Sequence, residues 1–120
     1  MVVAIRGAIT VTTNTKSEIL TATQEMIQAL MDQNQLQETD LISLFFTTTA
    51  DLNAAFPAEA ARQCGLSATP LMCATEIPVP NSLPKCIRVL AHCNSNLTKN
   101  SIRHIYLRDA VALRTDLIKG

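Results

Sequence analysis

Pro84-Lys85-Cys86-Ile87-Arg88-Val89-Leu90-Ala91-His92-Cys93 is rich in β-branched and apolar residues, opens just after a proline, and reads as a strand at the heart of a sheet. Side chains alternate across a strand, so Lys85, Ile87, Val89 and Ala91 share one face and Cys86, Arg88, Leu90 and His92 the other. That alternation sets a permanent cation in the middle of an apolar face. An unpaired buried charge is costly, so Arg88 must meet a carboxylate, a subunit partner or an anionic ligand. Residues 2–11 repeat the anomaly: Val2, Ala4, Arg6 and Ala8 share a face, and Arg6 follows Ile5 as Arg88 follows Ile87. Two internal salt bridges would need two buried acids, whereas one dianion satisfies both arginines. On this pattern alone the two readings stand level.

Working outward, Thr15-Lys16-Ser17-Glu18 fits a capping box, the threonine oxygen meeting the Glu18 amide and the glutamate reaching back. Ile19, Leu20, Met26, Ile27, Leu30 and Met31 then recur at helical spacing, so these methionines belong to a core and not to a cofactor site. Residues 32–38 are polar and end the helix; residues 41–49 predict a strand. Strand, long helix and strand suggest a β-α-β unit with a parallel pair and a right-handed crossover. Pro57 suits the first position of a short helix over 57–64, with Gly65 as its stop. Arg62 falls in that helix's last turn, where the dipole favours a cation, and taken alone it is surface charge. Residues 71–77 predict a third strand and 78–84 a proline-broken loop. Thr98 caps a short helix expected over 97–102. Residues 110–113 read as a closing strand that runs into a mobile tail over 113–120. The whole, 1–120, reads as a single α+β domain, a mixed sheet packed with helices.

The 120 residues carry ten basic and ten acidic side chains, a balance that argues against nucleic-acid binding or a polybasic membrane patch. It leaves room for a pocket where a few arginines converge. Only 3% of residues are aromatic, so aliphatic side chains and methionine must fill the core. No apolar run approaches the roughly 20 residues of a membrane span. Met1-Val2-Val3-Ala4-Ile5 is interrupted by Arg6 and lacks a basic leader, which argues against a signal peptide. Cys64, Cys73, Cys86 and Cys93 form no CxxC pair and have no zinc-ligand spacing with His92 or His104. Each is read as a small buried hydrophobe in a reducing compartment, which makes the chain cytoplasmic and metal-free.

Ile5-Arg6-Gly7-Ala8, Asp51-Leu52, Ala55-Phe56-Pro57-Ala58, Lys85-Cys86-Ile87-Arg88-Val89, Ile102-Arg103-His104-Ile105-Tyr106-Leu107 and Leu113-Arg114-Thr115-Asp116-Leu117 follow one another in that order. Each is weak alone. Their order and spacing resemble the Bacillus-type, AroH-class monofunctional chorismate mutases over nearly the whole chain. The resemblance implies conversion of chorismate to prephenate on the route to phenylalanine and tyrosine, with no metal or organic cofactor. It also implies a homotrimer with a barrel-like core and an active site in each cleft between neighbours. Carried over position by position, it implies that Arg6 binds a substrate carboxylate and that Arg88 faces the ether oxygen and a carboxylate. Glu76 and Cys73 would meet the ring hydroxyl, and Tyr106 would lie near the side-chain carboxylate. Phe56 and Leu113 would form apolar walls, while Arg62 and Arg114 would be outer cations that guide and cover the ligand. Glu59 stands where some relatives have lysine, which implies a less positive mouth.

The rearrangement is pericyclic and moves no proton, so Cys73 and Glu76 are not a nucleophile and base; without the resemblance Cys73 reads as a core thiol. Two other classes fit the same residues: a non-catalytic module that holds a dicarboxylate, and a structural oligomer in which Arg6 and Arg88 form intersubunit ion pairs.

Overall fold

In the computed structural model, which describes residues 1–114, the strand bearing Arg88 lies in the middle of a five-stranded sheet. The strands are β1 (Val2–Thr10), β2 (Leu41–Thr48), β3 (Leu71–Thr75), β4 (Cys86–Asn94) and β5 (Ile105–Leu107), in the order β3-β2-β4-β1-β5. β4 runs antiparallel to β1 from Val2 opposite Asn94 to Thr10 opposite Cys86, and antiparallel to β2 with an irregularity between Leu41 and Ser43. The outer pairs, β2–β3 and β1–β5, are parallel. β1 and β2 therefore point the same way but are not neighbours, which corrects the expected β-α-β pair. Both are long enough to hydrogen-bond β4 along their whole length, and β4 takes the place between them. The helix-linked parallel pair is instead β2 and β3, joined through α2 (Pro57–Gln63).

The long helix α1 (Lys16–Gln33) and α2 cover one face of the sheet. α1 buries Ile19, Ala22, Met26 and Leu30 against Ile5, Ile9, Phe46 and Ile87, all within 2% of full burial. Contact is tight at Gly7, where an added Cβ would lie 2.9 Å from Val89 Cγ1 and 3.3 Å from Met26 Cγ. Thr15 caps α1 by accepting the Glu18 amide at 3.2 Å, but the other half of the expected box is displaced. The Thr15 amide already donates to Thr13 O at 3.1 Å, so Glu18 reaches further back, to the Thr13 amide at 2.7 Å and the hydroxyls of Thr12 and Thr13. The Thr13 and Thr12 hydroxyls and then the Thr13 amide hold this carboxyl below its usual range.

α1 ends at Asn34, whose buried side chain donates to Leu30 O and Arg103 O, each at 2.9 Å, and accepts the Arg103 amide at 2.8 Å. The end of the long helix is thereby fastened to the approach to β5. α2 stops as its sequence requires: Gly65 takes φ +90°, with its amide on Arg62 O and the Leu66 amide on Ala61 O, a Schellman arrangement.

Three local expectations are corrected. Thr98 starts a single turn, with the Ser101 and Ile102 amides on its carbonyl, and no helix follows; one turn does not repay helix nucleation. The closing strand expected over 110–113 is the end of a 3-10 helix, Arg108–Leu113, and the strand is β5 before it. Leu113 closes that 3-10 helix, Arg114 caps it, and residues 115–120 of the expected tail lie outside the described residues. Cys64, read as buried, is exposed; Cys86 and Cys93 are buried and Cys73 is half-buried. No described helix is long and apolar enough to cross a membrane.

Candidate active site

The alternation along β4 holds, with Ile87, Val89 and Ala91 turned to the helices. The face with Arg88, Leu90 and His92 is the one that neither α1 nor α2 covers, so Arg88 is exposed in the isolated chain and not interred, which corrects the first expectation. Sequence alternation separates two faces; it does not say which one a neighbouring layer will cover. At one end the bare face is roofed: Ala8, Cys86 and Ala110 form a small buried cluster with Leu83, Tyr106 and Leu113 around it.

Beside that roof lies a cleft of about 450 Å³ lined by Arg6, Glu76, Arg88, Tyr106 and Leu113, among others. Strand register explains the convergence. Arg88 lies opposite Ala8 on β1 and opposite Thr47 on β2, and Tyr106 on β5 lies opposite Ala8. Ala8, buried under the roof at the cleft's edge, thus sets Arg88 and Tyr106 on either side of one strand. Arg6, two residues back on β1, lies opposite Leu90, two residues on along β4.

Glu76 follows β3 directly and is held there by its amide on Thr48 O at 2.8 Å. Its Oε1 accepts the Thr47 hydroxyl at 2.7 Å and lies 3.5 Å from Arg88 Nε. The Arg88 side chain stays 45% exposed and that of Glu76 29%, so the pair is open to a ligand on one side. Of the alternatives for Arg88, the chain itself thus supplies a carboxylate partner. Arg6 is held differently: its amide donates to His104 Nδ1 at 3.0 Å, just before β5 begins. Burial, and then the Arg6 charge, hold the His104 pKa below its ordinary value.

The remaining expected residues lie elsewhere. Cys73 is opposite the fully buried Phe46 and packs on the helix side of the sheet. Being three positions apart, Cys73 and Glu76 project to opposite faces, so one chain does not bring them together. Cys73 lines a second cleft of about 470 Å³ with Phe56, Thr75, Lys16 and Glu59. Phe56 is 70% exposed there, just ahead of α2. Glu59 does not leave that cleft simply negative, because Lys16 Nζ lies 3.4 Å from its Oε1. Arg62 is exposed on α2 and Arg114 at the end of the 3-10 helix, and neither lines either cleft. No cluster of three or more His, Cys, Asp or Glu side chains suited to a metal occurs among the described residues.

Sequence reasoning missed Thr47 and His104. Thr47 stood in a run of three threonines whose only legible signal was β propensity. His104 lies inside a family-like motif, and its spacing to the cysteines bears only on zinc binding. Pairing across 29 and 98 positions of chain is what gives each its partner.

A mixed antiparallel-centred sheet with α-helices on one face, and a cleft lined by two arginines and a glutamate on the other, defines an α+β protein with a charged surface cleft. Comparison with known proteins makes the class specific. Residues 2–117 match the family model of chorismate mutase type I. The chorismate mutase AroH of Thermus thermophilus is 50% identical over 118 residues, covering 98% of this chain and 97% of that protein. Its counterpart from Bacillus subtilis (strain 168) is 37% identical over 118 residues, covering 98% and 93%. The solved chorismate mutase from Clostridium thermocellum superposes with a TM-score of 0.91 at 51% identity, over 92% of this chain and 98% of that one. The chain belongs to the type I chorismate mutase family, a family of isomerases.

Proposed function

We propose that the protein converts chorismate to prephenate, in the biosynthesis of phenylalanine and tyrosine, by electrostatic stabilisation of the transition state and by restricting the substrate's shape. The observation that carries this reading is the Arg88 guanidinium, oriented by Glu76 and Thr47 and facing the same cleft as Arg6. In the rearrangement the ether C–O bond lengthens before the new C–C bond is complete. Negative charge gathers on the oxygen and positive charge on the ring. A fixed guanidinium at that oxygen favours the stretched state over the ground state, which raises turnover. Arg6 takes a carboxylate, with Tyr106 near the side-chain carboxylate, and together they hold the enolpyruvyl arm folded over the ring. Glu76 accepts from the ring hydroxyl and offsets the ring's positive charge. Neither a covalent step nor a proton transfer is required, and no cofactor.

The second half of the site comes from another copy in a homotrimer with a barrel-like core. The bare sheet face supports this assembly, since Val2, Phe45, Met72 and Leu90 on it are each 38% exposed or more. Apolar surface of this kind is characteristic of an interface. The neighbour's Cys73 and Phe56 then meet the cleft of Arg88, Cys73 near the ring hydroxyl and Phe56, with Leu113, as an apolar wall. Arg62 and Arg114 supply outer positive charge that guides and covers the ligand, and Lys16 neutralises Glu59 at the mouth. We assign the chain to the cytoplasm as a single domain over 1–120.

Following the loss of chorismate's ultraviolet absorbance with wild type and Arg88→Ala tests the reading. Loss of one such donor lowers turnover by roughly 10²–10³, and a charged donor in a dry site by more. Arg88→Lys keeps the charge without the planar fork and stays well below wild type. Binding of chorismate without conversion by wild type would make the protein a holding module; loss of assembly in Arg88→Ala would make the arginine structural. Turnover at saturation is expected to stay nearly flat from mildly acid to mildly alkaline pH, and a steep bell would contradict a mechanism without proton transfer.

A further inference from the structure

We propose that His104 is a positioning residue for Arg6: its neutral Nδ1 takes the Arg6 amide in place of a strand carbonyl and so fixes where Arg6 leaves the sheet. The proposal rests on the reading that Arg6 receives a substrate carboxylate. β5 is short, and its parallel pairing with β1 begins only at Gly7 opposite Ile105. The Arg6 amide, one residue before that pairing, donates to the His104 imidazole at 3.0 Å. Two residues on from His104 stands Tyr106, which shares the Arg6 cleft. His104 in turn follows Arg103, whose amide and carbonyl are both gripped by buried Asn34 at the end of α1. A rigid path thus runs from the long helix through Asn34, Arg103 and His104 to the backbone of Arg6.

The bond imposes one protonation state. An amide donor requires a lone pair on Nδ1, so the proton sits on Nε2 and the ring is neutral. A second proton would set an N–H against the Arg6 N–H and break the bond. The Arg6 charge opposes that proton too. The adjoining cleft is lined by Arg6 of β1, His92 of β4, Lys99 of the 98–101 turn and the Met1 end of the chain, and no carboxylate is among its described lining residues. Burial and the Arg6 charge both hold His104 in its neutral form. With the folded pKa below the free value of ~6.5, the bond is fully present above that value and is lost as pH falls through the folded pKa.

The test compares chorismate kinetics of wild type, His104→Ala, His104→Asn and Arg6→Ala. Asparagine Oδ1 is bonded to Cγ as Nδ1 is, accepts a hydrogen bond, and does not titrate. His104→Ala is expected to raise KM about tenfold, the effect of one lost hydrogen bond, with kcat changed less than about twofold. His104→Asn is expected to keep a near-wild-type KM at about pH 7.5, and to lose the rise in KM expected of wild type as pH falls below about 6.5. An unchanged KM in His104→Ala, a KM in His104→Asn as poor as in His104→Ala, or a wild-type KM that is flat on the acid side would each overturn the proposal. If His104→Ala does not fold, the acid-side comparison of wild type with His104→Asn decides. Arg6→Ala separates the two layers: if its KM is unchanged the carboxylate role of Arg6 fails, and if it rises while His104→Ala stays normal only the positioning role fails.

Discussion

Replacing Thr47 by valine removes the hydroxyl that donates to Glu76 Oε1 at 2.7 Å and keeps the shape of a strand residue. Glu76 then loses the contact that turns its carboxylate toward Arg88, and Arg88 loses part of its orientation. One neutral-to-charged hydrogen bond contributes ~1.5–3 kcal/mol, so kcat should fall by roughly 10–100-fold. Thermal unfolding should move little, because the site is half-exposed. Turnover of Thr47→Val equal to wild type would show that the guanidinium is held by something else. At this scale the sequence was informative about identity and uninformative about neighbours. Arg6, Arg88, Glu76 and Tyr106 could be singled out from a strand anomaly and a resemblance. Thr47 could not, because its partner lies 29 positions on, just past the end of β3.

Among the elements, α1 was the most legible, since a cap and a 3.6-residue apolar period are written in adjacent residues. Its C-terminal fastening was not, because Asn34 finds Arg103 across 69 positions. Asn34→Ala deletes three hydrogen bonds and leaves the Arg103 amide and carbonyl to find new partners. The expected cost is ~2–3 kcal/mol, read as a lower urea midpoint at unchanged slope. A midpoint within error of wild type would mean that water replaces the asparagine without loss. The strands show the complementary limit. Their existence and alternation are plain in the sequence, yet sequence order, the first guide to pairing, makes neighbours of β1 and β2. β4 separates them, and only the length match among three strands explains why. Short segments such as 97–102 and 110–113 carry too few residues for either period to register.

For the whole molecule, the structure is a slab with principal extents of 37 × 36 × 20 Å, helices on one broad side and bare sheet on the other. The two clefts occupy opposite sides of the sheet, and the proposed trimer brings one chain's Arg88 side to another chain's Phe56 side. Mixed subunits test this directly. Arg88→Ala and Phe56→Asp are each expected to be nearly inactive alone. Refolded together in equal amounts, they should recover up to about one quarter of wild-type activity, since random mixing joins two intact halves at about that fraction of sites. No recovery in mixtures of proven mixed composition would show that each site is built within one chain. A resemblance carried the trimer into the sequence reading; nothing in composition or periodicity could, because an interface face and a core face alternate alike.

The position of Cys73 and Glu76, three residues apart on opposite sides of one strand end, bears on how such a chain can change over time. Inserting or deleting a single residue between them would turn one of the pair through the sheet. In the proposed ring of three chains, one altered chain would then spoil a site it owns and another it lends. Length variation is far safer in the proline-broken loop at 78–84, beyond Glu76. Sequence drift in this fold should therefore gather in that loop and leave the spacing of β3 untouched.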